Sequence, residues 1–563
     1  NPRDDRRNNQ LHLRELQVYY GSISLFEGDP ELRQIKIYDT TLRDGSQMEG
    51  ISFSVEDKLK LTRRLDELGV HYIEGGWPGS NPKDAEYFER MKNIPLKNAK
   101  LAAFGSTRRA YASVEEDLNL RMLIEACTPV ITLVGKSWDM QVHVVLGCSL
   151  EENLAMIKDS IAFCKSYGKE VFFDAEHFFD GYKNNPDYAM RCIHAAIEAG
   201  ADAVVLCDTN GGRMPEEIAQ AVEKVVEETR AIAATRPFDV GIHTHNDSEL
   251  AVANTLIAVQ KGATQVQGTI NGYGERIGNA NLCSIIANLE LKYGYHTIGR
   301  EKVKELTSVS RYFAEVANMA HDERLPYVGA KAFTHKAGLH VNAVAKSAET
   351  YEHLPPELVG NTRRVTISEL GGRSNVLMKM AQFGLEAHTS SEQVRQVLEE
   401  VKRLEKEGFQ FEDAEASFEL LVLRAQPDYE PPFRLLDFMV VSESRNGGEF
   451  LSEATVKIKV GNEVMHTAAD GDGPVNALDR AMRKALAPFY PELDPVHLTD
   501  YKVRVLDNES GTAATVRVWI QSTDGKSTWN TVGSSTNIIE ASWLALADSL
   551  EYPLRSISKR RLR

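Results

Sequence analysis

The chain has 563 residues, 42% hydrophobic and 26% charged, with a formal net charge of −16. That length predicts two or three domains with ample core, and the acidic balance argues against nucleic acid or anionic membranes as bulk partners, which need a basic face. No apolar run reaches the roughly 18 residues of a membrane helix, and the charged start, Asn1 to Arg7, does not read as a secretory signal.

An initiator Met is absent, so further N-terminal sequence is expected before Asn1. The cysteines, Cys127, Cys148, Cys164, Cys192, Cys207 and Cys283, show no C-x-x-C spacing. Neither a disulfide framework nor a zinc site is expected, and the setting reads as reducing and cytoplasmic.

Residues 1–33 are polar and read as an arm with one short helix around Leu11 to Tyr19. From Ile35, strand-like runs recur about every 25–40 residues, the spacing of βα units. They are Ile35–Tyr38, Tyr72–Gly75, Lys100–Phe104, Val130–Val134, Glu170–Asp174, Ala203–Cys207, Val240–His243 and Gln265–Gly268. Helix starts lie between them. Ser54 to Asp57 and Ser149 to Glu152 read as capping boxes, and Asn81-Pro82 and Asn185-Pro186 as a cap followed by Pro in the first turn. Gly69, Gly168, Gly200 and Gly262 read as helix stops. Eight such units predict a (β/α)₈ TIM barrel over 34–300; a doubly wound sheet is the alternative.

Residues 301–430 read as helical accessory subdomains, with Val394, Val397, Val401 and Leu404 along one helix face and a linker at Pro427 to Pro432. Beyond lies an internal repeat. Ala454 to Val460 is echoed by Ala514 to Ile520, and each run is followed by a second strand, a Gly turn and a helix. Two copies predict an α+β domain over 431–552 that pairs into a dimer, ahead of a basic tail at 553–563.

A barrel does its chemistry at the carboxyl ends of its strands. The first end carries Arg43 and Asp44, and the second Glu74. The fifth and sixth carry Glu176 and Thr209; the seventh carries His243 and His245, with Asn279 just past the eighth. Two imidazoles at i and i+2 of a strand point to one side and can share an ion. Asp44 and Asn279 would add oxygens, a mixed set that suits Mg²⁺, Mn²⁺ or Zn²⁺; the alternative is two histidines that cap hydrogen bonds. Arg43 beside Glu74 reads either as a held oxyanion stabiliser or as a structural ion pair. Glu176 reads as a general base or as a solvated acid, and Thr209 as a carboxylate contact or as a turn residue.

Asp39 to Gly45, His243 to Asp247 and Gly274 to Asn279 together resemble the metal-dependent barrel enzymes that condense acetyl-CoA with 2-oxo acids. That family comprises the 2-isopropylmalate, homocitrate and citramalate synthases. The resemblance runs from about Ile35 through the repeat, which is similar to the family's leucine- or isoleucine-sensing regulatory domain. Glu74 to Asp84 and Gly135 to Asp139 resemble the citramalate branch. Ser46, where isopropylmalate synthases usually have Glu, points the same way.

The resemblance matches Asp44, His243, His245 and Asn279 to metal ligands, and Arg43 to the residue that stabilises the enolate, with Glu74 fixing it. It matches Thr209 and Gln47 to substrate contacts and Glu176 to the active-site acid used as base. It matches His340 and Tyr351 to accessory-subdomain residues that often reach a neighbouring subunit's site. The implied reaction takes acetyl-CoA, pyruvate and water to (R)-citramalate and CoA, in a homodimer or higher oligomer with isoleucine as effector. A 2-isopropylmalate or homocitrate synthase, a lyase running the reverse cleavage, and a non-catalytic amino-acid sensor are the alternatives.

Overall fold

The computed structural model describes residues 33–366, 373–382, 391–444, 450–506 and 511–561; the expected arm helix at Leu11 to Tyr19 lies outside them. Eight parallel strands follow one another around a closed barrel. They are β1 (Lys36–Asp39), β2 (Tyr72–Gly76), β3 (Lys100–Ser106), β4 (Val130–Lys136), β5 (Glu170–Glu176), β6 (Ala203–Asp208), β7 (Asp239–Thr244) and β8 (Gln265–Gly268). Pairing of Lys36 with Gln265 and of Asp39 with Gly268 closes β8 onto β1, which decides for the barrel over the doubly wound sheet. β5 runs two residues past the expected Asp174, so Glu176 sits on its last rung, opposite Lys136 of β4.

Local chemistry fixes the helices between strands. The Ser54 hydroxyl accepts from the Asp57 amide while Asp57 accepts from the Ser54 amide, opening the helix Val55–Leu68. That helix stops at Gly69, whose φ of 94° suits glycine. Asn81 and Asn185 accept from the first turns of helices that begin at Pro82 and Pro186. Inside the barrel, Tyr38, Tyr72 and Phe172 form one buried cluster with Ala102, Val130 and Ala203. The three rings pack on one another, Tyr72 meeting Phe172 edge-on at 5.0 Å.

The described chain divides into two compact units, the barrel unit (33–333 with 356–362) and a second one (334–355 with 363 onward). The second unit starts with a parallel pair, β9 (Thr334–His335) and β10 (Arg364–Val365). The helix Ser391–Lys406 buries Val394, Val397 and Val401 as its period predicts. Tyr429 within the expected linker donates to Glu551, and Tyr490 donates to the Pro432 carbonyl, so that stretch is tied down.

The repeat appears as two three-stranded antiparallel sheets, each backed by a helix. One is β11 (Arg434–Ser444), β12 (Phe450–Val460) and β13 (Glu463–Gly471) with the helix Pro474–Leu486. The other is β14 (His497–Val505), β15 (Val516–Thr523) and β16 (Thr528–Ser535) with the helix Ile538–Arg561. Ala454, Val456 and Ile458 of β12 and Val518 and Ile520 of β15 point into the shared core, as alternation requires. Leading strands β11 and β14 escaped the sequence reading; in β11 the outer face also carries apolar residues, Met439 and Val441, whereas β14 places Tyr501, Val503 and Val505 on the face of Val518 and Ile520 and Lys502 and Arg504 on the other. No described helix is long and apolar enough to cross a membrane, and all six cysteines are free thiols.

Gly181, in the helix after β5, packs directly on the backbone after β4. A Cβ there would lie 2.3 Å from the Ser137 carbonyl oxygen and 2.9 Å from Trp138 Cα. Backbone cannot yield as a side-chain tip does, so Gly181→Ala is expected to cost about 1–3 kcal/mol. A urea midpoint equal to that of the wild type would contradict this.

Candidate active site

The strands run parallel, so their carboxyl ends share one face. β1 ends at Asp39, whose carboxylate accepts from the Thr41 amide at 2.9 Å and the Thr41 hydroxyl at 2.8 Å. The Asp44 and Gly45 amides return to the Thr40 carbonyl, tightening the chain into the short turn Gly45–Gln47. This turn presents Arg43 and Asp44 together, with Arg43 Nη1 3.5 Å from Asp44 Oδ1.

Glu74 is fully buried at the end of β2. It accepts from Arg43 Nε and Thr40 Oγ1, each at 2.6 Å, and from the Tyr38 hydroxyl. Arg43 also lies over the Phe104 ring, 3.7 Å from its centroid. Burial alone would lower the Arg43 pKa, but Glu74 and then Asp44 hold it above its ordinary value, so the charge is permanent. Burial, then Glu74, pushes the Tyr38 phenol well up, which keeps it a donor. Arg43 and Glu74 thus form a held pair, and at 3.5 Å from Asp44 the outer edge of the guanidinium is left for another oxygen.

Across the barrel, ligating atoms of Asp44, His243 and His245 all lie within 4.8 Å of one another, and all three residues are buried. His243 Nε2 is 3.3 Å from Asp44 Oδ2 and 3.3 Å from His245 Nε2. Such spacing suits either one imidazole N–H donating to the other ring or two nitrogens turned toward a shared cation. Burial would raise the Asp44 carboxyl, but Arg43, then His243 and His245, hold it well below its usual range. Burial, and then His243, pushes His245 down to about 4, so its ring is neutral. Asp44 overcomes burial to raise His243.

Asn279 completes the ring of groups. An antiparallel bridge pairs it with His245. Its Nδ2, not the expected oxygen, faces Asp44 Oδ2 at 2.7 Å and His243 Nε2 at 3.3 Å. Its Oδ1 is buried without a hydrogen-bond partner, as is His245 Nδ1. Reversal of the amide would turn the orphaned oxygen toward the same atoms and let it face a cation held there. Gly274 allows this position, since a Cβ there would come 2.0 Å from Asn279 Oδ1. The donor set therefore fits one divalent cation.

Two residues behind the cluster escaped the sequence reading. Gln267 of β8 accepts from His243 Nδ1 at 2.8 Å and donates through Nε2 to Asp174 Oδ1 at 3.0 Å. The Nδ1 proton is thereby fixed, and Nε2 is the nitrogen left for an ion. Burial, then Glu74, pushes the Asp174 carboxyl up to about 7. The available signal was two glutamines, Gln265 and Gln267, in a barrel strand where branched apolar residues are the rule.

On the rim, Glu176 pairs with Lys136, a third missed residue, so it is not a free surface acid. The Thr209 hydroxyl accepts from the His177 amide at 2.9 Å, which leaves its own proton to donate elsewhere. Arg276 clasps Asp247 through two nitrogens, at 2.7 and 2.9 Å, and donates to the Thr209 carbonyl at 2.8 Å, joining the loops after β6, β7 and β8. Gln47 is exposed at the end of its turn. In the second unit, His340 and Tyr351 are both exposed and stack on each other with ring centroids 4.0 Å apart.

Three family models match the chain: HMGL-like over residues 34–312, homocitrate synthase post-HMGL domain-like over 327–408, and LeuA allosteric (dimerisation) domain over 412–554. The chain is 53% identical to the (R)-citramalate synthase of Aquifex aeolicus, over 92% of this chain and 98% of that one. It is 54% identical to that of Geobacter sulfurreducens, over 92% and 97%. A probable 2-isopropylmalate synthase of Methanopyrus kandleri is 32% identical over 90% and 96%.

If Gln267 orients His243, Gln267→Leu weakens Mn²⁺ binding by roughly 10–100-fold. Titration of the free-ion spin-resonance signal measures it, and an unchanged dissociation constant would remove Gln267 from the site.

Proposed function

The chain belongs to the (R)-citramalate synthase family, and from that premise we propose that it condenses acetyl-CoA with pyruvate and hydrolyses the resulting thioester to (R)-citramalate and CoA. The observation that carries this reading is the joint placement of the Asp44–His243–His245 cluster and the Glu74-held Arg43 at one barrel mouth.

Asp44, His243, His245 and Asn279 would hold a divalent cation, which when bound would supply Lewis-acid polarisation of the keto acid. Thr209 donates its hydroxyl proton to the keto acid's carboxylate, with Gln47 at the edge of the same mouth. Glu176 takes a proton from the acetyl methyl group. Arg43, already oriented by Glu74, offers its outer N–H groups to the oxygen that gains charge, so little reorganisation is needed as the bond forms. Lys136 holds Glu176 in place until it works. His340 and Tyr351, stacked as one unit, assist the proton transfer from the accessory segment, reaching the site of a neighbouring subunit.

The regulatory reading rests on the repeated sheets and on the match to an allosteric and dimerisation domain. Exposed apolar residues on these strands, among them Met439, Phe450 and Val464 with 61%, 62% and 55% exposure, support pairing of two copies. Isoleucine, an end product to which citramalate leads, is the proposed effector.

CoA release from acetyl-CoA is expected with pyruvate and to be far slower with 2-oxoisovalerate or 2-oxoglutarate; preference for either longer acid contradicts the citramalate assignment. Arg43→Ala is expected to lower kcat by about 10²–10³-fold. Mixing inactive Arg43→Ala with inactive His340→Ala subunits should restore part of the activity. No recovery after confirmed subunit exchange would place His340 in its own chain's site or outside catalysis.

A further inference from the structure

The proposed reaction has two base-dependent steps. One removes a proton from the acetyl methyl group, and the other activates the water that later cleaves the thioester. Glu176 is committed to the first, and its Lys136 partner suits a carboxylate that must stay ionised. The groups so far described leave the second unassigned.

Next to Glu176 is a histidine with the geometry of such a base. His177 is 8% exposed and has left-handed backbone angles, φ 57° and ψ 29°, which a non-glycine side chain adopts only when its surroundings impose it. Here the His177 amide donates to Thr209, so the turn that costs strain also ties the residue to the proposed anchor for the keto acid's carboxylate. His177 Nδ1 is 3.2 Å from Asp180 Oδ2.

Asp180 is itself held. Asn210 Nδ2 donates to its Oδ2 at 2.9 Å, and Arg213 Nη2 lies 3.2 Å from its Oδ1. A carboxylate on Nδ1 fixes the proton there and leaves the lone pair on Nε2. The described polar neighbour of Nε2 is the Gln141 amide nitrogen at 3.4 Å, a long contact that a water can replace. The Trp138 ring, 5.7 Å away between centroids, walls one side.

We propose that His177, oriented by Asp180, is the catalytic base that activates water for hydrolysis of the thioester. The inference rests on the citramalate synthase reading of the same site. His177 Nε2 takes a proton from water as the water oxygen bonds to the thioester carbonyl carbon. The tetrahedral adduct then breaks its C–S bond, and the departing thiolate takes the proton back from the imidazolium. The products are the free acid and CoA, and His177 is returned to its starting state.

The test uses the full-length, Mg²⁺-loaded protein and two separate measurements. Hydrolysis of supplied citramalyl-CoA by His177→Ala is expected to fall about 100-fold or more, the usual contribution of a general base. Pyruvate-dependent consumption of acetyl-CoA in a single turnover should stay within about threefold of wild type. Citramalyl-CoA should therefore accumulate and be seen by mass spectrometry after quenching, and Asp180→Asn should accumulate it too. Hydrolysis at the wild-type rate, or equal loss of both half-reactions without accumulation, overturns the proposal. If melting shows His177→Ala unfolded, His177→Gln is read by the same two measurements and the same criteria. A wild-type protein that hydrolyses citramalyl-CoA but does not form it from pyruvate would overturn the substrate assignment and leave His177 standing.

Discussion

A carboxylate sealed inside the barrel, Glu74, sets the geometry of everything around it. With no exposure, its charge is tolerated only because Arg43, Thr40 and Tyr38 all donate to it. Removing one partner of such a buried pair typically costs about 3–5 kcal/mol, because the other charge is left without compensation. Arg43 is therefore fixed on one side by Glu74 and on its face by Phe104. That rigidity is what a group needs if it is to meet a developing charge without first rearranging. The β1–β2 register, Tyr38 beside Tyr72 and Asp39 beside Ile73, carries the arrangement into the sheet.

The same low-dielectric interior separates the acids by role. Asp44, facing Arg43 and two imidazoles, is held ionised, whereas Asp174, facing Glu74, is pushed up to about 7. Gln267 stands between Asp174 and His243 and presents an acceptor to the ring and a donor to the acid. The two imidazoles differ for a related reason. His243 has Asp44 as a close partner, while His245 has chiefly its burial and His243 to contend with. A cation at their meeting point would satisfy the carboxylate, both rings and the orphaned Asn279 oxygen together.

Much of this was legible before any coordinates. The eight strands follow from apolar runs at βα spacing, and Arg43, Asp44, His243 and His245 from charged or ligating residues where those runs end. Gln267 and Asp174 were hidden because a polar residue inside a strand reads as a loss of pattern until its partner is known. Lys136 and Glu176 are 40 positions apart and meet only through the β4–β5 register. The Asn279 amide was expected oxygen-first, and the structure places its nitrogen on the Asp44 carboxylate, a direction that sequence does not encode. The leading strand β11 of the C-terminal repeat was obscured by apolar residues on both faces, which erase a period of two.

The central claim is that Asp44, His243 and His245 hold one divalent ion beside Arg43 and that pyruvate binds at that ion. Pulsed spin-resonance spectra of the Mn²⁺-loaded protein, before and after addition of ¹³C-labelled pyruvate, test it most directly. Coupling to two imidazole nitrogens is predicted, lost in part in His243→Ala and in His245→Ala, together with a new ¹³C coupling when pyruvate is added. Mn²⁺ bound without imidazole coupling, or a spectrum indifferent to labelled pyruvate, would contradict it.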